Sequence, residues 1–190
     1  MKRIFVAINL SEDIKNKLQE YQREWADLPV RFTKKGSLHL TLFFIGYVDD
    51  ERMLDACRKI HEVAKKHKPF ELRFNRICLA PPNRPPRLIW LEGERNENLA
   101  DLKRDIEKTM AVQENDERAF MEIERGLKIF IPHITLARIR QMEWKKLLQK
   151  PIIDKKVSIN VPVNSIEVME SNLKRDGAEY SILESAELGY

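Results

Sequence analysis

Ser37-Leu38-His39-Leu40-Thr41-Leu42-Phe43-Phe44 and, half a chain later, Pro132-His133-Ile134-Thr135-Leu136-Ala137-Arg138 are the two segments from which the architecture can be read. Successive side chains of a strand point to opposite faces, so His39 and Thr41 share one face while Leu38, Leu40 and Leu42 share the other. His133 and Thr135 repeat the arrangement, with Ile134 and Leu136 behind them. Each strand turns an imidazole and a hydroxyl the same way and anchors itself through an apolar back.

The surroundings of the two strands also repeat. Arg-Ile-Phe-Val-Ala-Ile-Asn over 3–9 reads as a buried strand. Ser11 can cap a helix that runs to about residue 26, with Glu12 and Asp13 at its positive end and Ile14, Leu18, Tyr21 and Trp25 at helical spacing. Gly46 closes the first histidine strand, and after Asp49-Asp50 comes a helical pattern of Met53, Leu54, Cys57, Ile60 and Ala64 that Pro69 stops. Phe70, Leu72 and Phe74 alternate, but Ile77 and Leu79 have the opposite parity, which places a bulge near Asn75-Arg76. The proline-rich run Pro81-Pro82-Asn83-Arg84-Pro85-Pro86 is a stiff connector.

A second round follows: strand Leu88-Ile89-Trp90-Leu91, a helix marked by Leu99, Leu102, Ile106 and Met110, a polar acidic stretch over about 113–125, and strand-like Ile129-Phe130-Ile131 before the second histidine strand. Trp144, Leu147 and Leu148 indicate a short helix ended by Pro151. Val157, Ile159, Val161 and Val163 alternate as a strand, and a last strand covers about 180–183. Both halves thus read strand, helix, His-x-Thr strand, helix, strand, a degenerate internal duplication of about 1–82 and 86–190. Neither half buries a sheet face alone. The expected fold is α+β: one bilobal domain over 1–190, two pseudo-symmetric, mostly antiparallel sheets with helices outside, and an active-site cleft between the lobes where the histidine faces meet.

The composition, 43% hydrophobic and 34% charged, is that of a folded globular protein and not of a disordered chain. A net charge of +4 from interspersed charges favours a polyanionic partner only mildly. Two cysteines, Cys57 and Cys78, make neither a disulfide framework nor metal-type spacing, and read as buried thiols of a cytoplasmic protein. The apolar run from Ile4 to Leu10 is too short for a signal-peptide core or a membrane span. A monomer without membrane association is expected.

Two imidazoles flanking a phosphate can divide phosphodiester cleavage between them: the neutral ring takes a proton from the attacking oxygen and the charged one supplies the leaving oxygen. Threonine hydroxyls can donate to the phosphoryl oxygens. No metal or other cofactor is required, and no ligand-spaced Asp, Glu or His set suggests one. A single His-x-Thr strand is weak evidence, since a histidine bonded to the backbone is commoner. Two copies in equivalent positions are stronger, because packing histidines give no reason for both threonines. His61 and His67 read as surface or packing residues. Arg84, Arg87, Lys34 and Lys35 could steer a nucleic-acid backbone, although each alone reads as solvated charge. Phe43 and Trp90 could stack on a base, but read first as strand core.

Leu38-His39-Leu40-Thr41-Leu42 and Pro132-His133-Ile134-Thr135-Leu136-Ala137-Arg138 resemble the paired motifs of the two-histidine (2H) phosphoesterases, specifically the LigT-like RNA 2′,3′-cyclic phosphodiesterases, also called 2′-5′ RNA ligases. Arg3-Ile4-Phe5-Val6-Ala7-Ile8, Pro86-Arg87-Leu88-Ile89-Trp90 and Asp176-Gly177-Ala178-Glu179-Tyr180 resemble family segments too. The resemblance implies hydrolysis of 2′,3′-cyclic phosphate RNA ends, tRNA fragments among them, to a 2′-phosphate, with reversible 2′-5′ ligation at the same site. It makes His39 the proton donor and His133 the acceptor, with Thr41, Thr135 and Arg138 on the phosphate. Strict alternation would put Arg138 on the face opposite His133, so its role requires a twist or bulge, and Phe44 takes its place in the first motif. The alternatives are a non-catalytic RNA-binding module, a hydrolase using the histidines as metal ligands, and a 2H enzyme acting on small cyclic nucleotides.

Overall fold

The computed structural model describes residues 1–82, 84–111, 130–174 and 177–189. The acidic stretch 113–125, Ile129, Asn83 and Asp176 lie outside these. Strand β1 (Lys2–Asn9) leads into helix α1 (Glu12–Arg23), a short strand β2 (Val30–Phe32), the histidine strand β3 (His39–Val48) and helix α2 (Asp50–Ala64). Strands β4 (Phe70–Ala80) and β5 (Leu88–Gly93), helix α3 (Glu97–Ala111), the second histidine strand β6 (His133–Ile139) and a short helix α4 (Gln141–Lys145) follow. Strands β7 (Asp154–Val163), β8 (Ser165–Lys174) and β9 (Gly177–Glu187) come last.

The helices start where the sequence supplies an acceptor for their open N–H groups. Ser11 Oγ accepts from the Ile14 amide at 3.4 Å, Asp49 Oδ1 from Arg52 at 2.9 Å and Asn96 Oδ1 from Leu99 at 3.0 Å. Their apolar faces then pack on the sheets. Leu18 of α1, Ile60 of α2, and Leu102 and Ile106 of α3 are fully buried, each contributing about 1.5–3 kcal/mol by burial. Helix α4 stops sooner than the sequence suggests: Trp144 is buried and Leu147 still packs on the core, but Leu148 stands fully in solvent.

The strands form two antiparallel sheets, ordered β3-β1-β8-β9 and β2-β6-β5-β4-β7. In each, the histidine strand lies beside the strand that opens its unit, β3 beside β1 and β6 beside β5. The sheets draw on both halves of the chain: β4 joins the second, and β8 and β9 return to complete the first. The bulge at Phe74/Arg76 appears in both pairings of β4. Phe130 and Ile131 lie outside any strand; Pro132 has no N–H for a ladder, and β6 begins only at His133.

One face of the first sheet, with Ile4, Val6, Ile8, Leu40 and Leu42, belongs to a core continuous with that of the second sheet. Its other face carries a small separate cluster of Phe5, Ala7 and Met169 with Tyr180 against them. Buried Glu167 on β8 ties this sheet together by accepting from the Asn9 amide at 2.9 Å and from Ser165 Oγ at 2.6 Å. Among the described residues no helix is long and apolar enough to cross a membrane.

Candidate active site

The histidine strands β3 and β6 meet where the two sheets face each other. There His39, Thr41, His133, Thr135 and Arg138 all line one cavity of about 850 Å³. The structure thus brings all five residues singled out by the sequence to a common space. It does not bring His61 or His67 there: His61 faces Glu184 at 3.7 Å, and His67 Nε2 bonds Asp105 Oδ2 at 2.9 Å, joining α2 to α3.

The two imidazoles are held alike. His39 Nδ1 donates to the Ser37 carbonyl at 2.8 Å, and His133 Nδ1 donates to the Ile131 carbonyl at 2.9 Å, each two residues back along its own chain. A carbonyl can only accept, so Nδ1 carries the hydrogen and Nε2 of the neutral ring is the basic nitrogen. Thr41 Oγ1 lies 3.0 Å from His39 Nε2. Burial pushes the His39 imidazole down to about 4, against the Ser37 hydrogen bond that favours its charged form, and Lys15 adds a smaller push down. Burial also lowers His133, opposed by the Ile131 carbonyl and by Glu92. Both rings are therefore neutral in the free protein at neutral pH.

Their aromatic neighbours differ. Trp90 stacks on His133 with centroids 3.9 Å apart and planes 21° apart. His39 instead meets Phe5 at 5.0 Å and the edge of Tyr180 at 4.9 Å. Trp90 is thus neither plain core nor free for a base: its ring is committed to the second imidazole.

Arg138 reaches the cavity through a bulge. On β6 the register with β5 skips from Ala137 to Thr135, leaving Leu136 unopposed, and the parity of the strand reverses beyond it. Leu136 and Ala137 are consecutively buried, and Arg138 comes round to the face of His133 and Thr135. Strand β3 has one of its two bulges at the same offset, Leu42, where the register with β1 skips from Phe43 to Thr41. Phe44, the counterpart of Arg138, lines the same cavity.

Each bulge carbonyl is met by a helix from the other unit. Gln22 Nε2 on α1 donates to the Leu136 carbonyl at 2.8 Å and to Thr33 O at 2.9 Å. Lys103 Nζ on α3 donates to the Leu42 carbonyl at 3.1 Å while paired with Glu107. Neither residue was singled out from the sequence. The signal available for Gln22 was a polar side chain close to the apolar stripe of α1, and it is 5% exposed. The described lining is strongly cationic: Arg3, Arg31, Lys34, Lys103, Arg138 and Lys174 stand against a single carboxylate, Glu107. Such a cavity suits an anion. Among the described residues no group of three or more His, Cys, Asp or Glu could hold a metal ion.

The LigT-like phosphoesterase family model matches residues 8–90, which include the first His-x-Thr strand. The RNA 2′,3′-cyclic phosphodiesterase of Aquifex aeolicus (strain VF5) is 25% identical, over 98% of this chain and 97% of the relative. The RNA 2′,3′-cyclic phosphodiesterase of Methanocaldococcus jannaschii is 26% identical over 95% and 98%. In three dimensions, the crystal structure of TT0787 of Thermus thermophilus superposes with a TM-score of 0.80 at 27% identity, covering 98% of this chain and 97% of that one. End to end this chain is similar to these relatives, and, built on two sheets that present paired His-x-Thr strands to one cavity, it resembles the LigT-like phosphoesterases.

Proposed function

We propose that this protein is an RNA 2′,3′-cyclic phosphodiesterase that opens the cyclic phosphate at an RNA end to a terminal 2′-phosphate by two-histidine acid–base catalysis. The observation that carries the proposal is the convergence of both His-x-Thr faces on one cationic cavity; the phosphodiesterases named above support its substrate class.

In this reading the cyclic phosphate sits between the imidazoles, with Thr41, Thr135 and Arg138 on its non-bridging oxygens. His133 Nε2 takes a proton from a water molecule as the water oxygen bonds to phosphorus. The P–O3′ bond breaks, and His39 delivers a proton to the departing O3′. One water is consumed, and the two imidazoles exchange charge states, to be reset through solvent. With an RNA 5′-hydroxyl in the place of water, the same geometry makes a 2′-5′ linkage: the 5′ oxygen bonds to phosphorus as P–O3′ breaks. The substrate is taken to be a free RNA end met by a cytoplasmic monomer.

The test is incubation with an oligoribonucleotide ending in a 2′,3′-cyclic phosphate, with and without chelator, followed by separation of 2′- from 3′-phosphate products. A 2′-phosphate product that survives chelation is expected. A predominantly 3′-phosphate product overturns the assignment of His39 as the acid, and loss of activity on chelation overturns the metal-independent mechanism.

A further inference from the structure

A groove beside the active-site cavity carries two cations, Arg87 and Lys145, that the chemistry above does not use. It has a volume of about 530 Å³ and is lined by Arg87, Leu88, Arg138, Ile139, Gln141 and Lys145. Arg138 lines both spaces and so joins them. It also stands at the centre of a row: directly opposite it lie Arg31 on β2 and Leu88 on β5, and Arg87 immediately precedes Leu88.

The row gathers its cations in one place. Arg31, Arg87, Arg138 and Lys145 are all exposed, and among the described residues none makes an ion pair. Other surface cations are matched, among them Arg76 with Asp154, Lys155 with Glu24 and Lys174 with Glu179. Even Arg140, two residues from Arg138, is paired, with Glu143. Two arginines directly opposite each other across an antiparallel pair repel. The backbone that holds them is well tied: the Ile139 amide donates to the Arg87 carbonyl at 2.9 Å, and Gln141 Nε2 donates to the Pro86 carbonyl at 2.9 Å.

We propose that this groove is a second anion-binding subsite, which takes backbone phosphates of the RNA strand leading up to the cyclic end. The proposal rests on the functional reading above and specifies the length of its substrate. An RNA chain leaves its 3′-terminal ribose through the 5′ oxygen, so its preceding phosphates must exit the cavity over one of its rims, and at the Arg138 rim the cations continue out of the cavity into the groove. Guanidinium groups match phosphate oxygens in bidentate geometry. Among the described residues no aromatic side chain lines the groove, so the subsite reads the backbone and leaves base identity unread. A cyclic mononucleotide has no phosphate to place there.

The test compares kcat/KM for uridine 2′,3′-cyclic phosphate and for a short unstructured oligoribonucleotide ending in 2′,3′-cyclic phosphate. In the unaltered protein the oligonucleotide is the better substrate. Replacing both Arg87→Ala and Lys145→Ala is expected to lower the ratio of oligonucleotide to mononucleotide kcat/KM roughly five- to tenfold. It should also flatten the dependence of log kcat/KM on log salt for the oligonucleotide by about 0.7 per cation removed. Both side chains are exposed, so the fold should survive, as circular dichroism can check. A ratio and a salt slope unchanged by the double replacement overturn the subsite. Equal turnover of both substrates by the unaltered protein overturns the subsite alone, whereas turnover of neither overturns the functional reading and the subsite with it.

Discussion

Gln22, on the helix that follows β1, donates its side-chain N–H to the carbonyl of Leu136, the bulged residue of the second histidine strand, at 2.8 Å. The first unit thus holds the kink that turns Arg138 toward the cavity. Replacing Gln22→Leu removes this bond and the one to Thr33 O. A loss of about 1–3 kcal/mol is expected from a denaturant titration. Because Arg138 depends on the kink, kcat/KM for an RNA cyclic phosphate should fall as well, while Gln22→Glu should not restore it. Unchanged kinetics in a Gln22→Leu protein that is destabilised would mean that the bulge holds itself.

The buried imidazoles make stability depend on pH. His39 is held down to about 4 in the folded protein, against 6.5 as its ordinary value. Between those values the unfolded chain binds a proton that the native state refuses, so stability is full above about 6.5 and falls as the pH drops to about 4. One such group accounts for about 3 kcal/mol over that window, and lowered His133 adds in the same direction. Denaturation midpoints measured from pH 7 to 4 should fall less steeply in His39→Gln than in the unaltered protein. Parallel curves would contradict the burial of a neutral ring.

The same shifts bear on turnover. The acid must be protonated before it can give a proton, yet the free protein favours neutral rings. A bound phosphate anion stabilises an imidazolium, so binding raises both values. The pH profile of kcat, which reports the complex, should therefore lie at higher pH than that of kcat/KM, which reports the free protein. Profiles in the opposite order would show that the phosphate does not sit against the imidazoles.

Trp90 stacks on His133, and its Nε1 is buried without a hydrogen-bond partner among the described residues. Trp90→Phe keeps an aromatic face and removes the unmatched N–H, so its stability should stay within about 1 kcal/mol of the original. Trp90→Ala leaves the imidazole unsupported and should cost roughly 3 kcal/mol, the lower end for a buried tryptophan, since the ring is half-buried. Thermal unfolding of the two variants separates these cases, and equal losses would deny the stacking its role.

Most of the site was legible because strand alternation is local. His39 with Thr41 and His133 with Thr135 could be placed on common faces from their spacing alone, and the buried leucines behind them followed. The approach of Arg138 was not legible, since it depends on a ladder register that skips Leu136, and register belongs to a pair of strands. Gln22 and Lys103 were invisible for a related reason: their partners are backbone carbonyls far away in sequence. Strand β8 escaped because the buried carboxylate of Glu167 interrupts its apolar run, and β2 because three residues carry little pattern. The alternation of β4 gave the strand and its bulge, but nothing in it says which sheet the strand joins.

The most direct test of the account is steady-state kinetics of His39→Ala and His133→Ala on an oligoribonucleotide ending in 2′,3′-cyclic phosphate, with His61→Ala and His67→Ala beside them. The account predicts that each of the first two loses on the order of 10²–10⁴-fold in kcat. It also predicts that the double variant loses little more than the worse single, because acid and base act on one phosphate, and that the helix histidines stay within a few-fold of the original. A near-normal rate in either His39→Ala or His133→Ala would contradict the two-histidine mechanism.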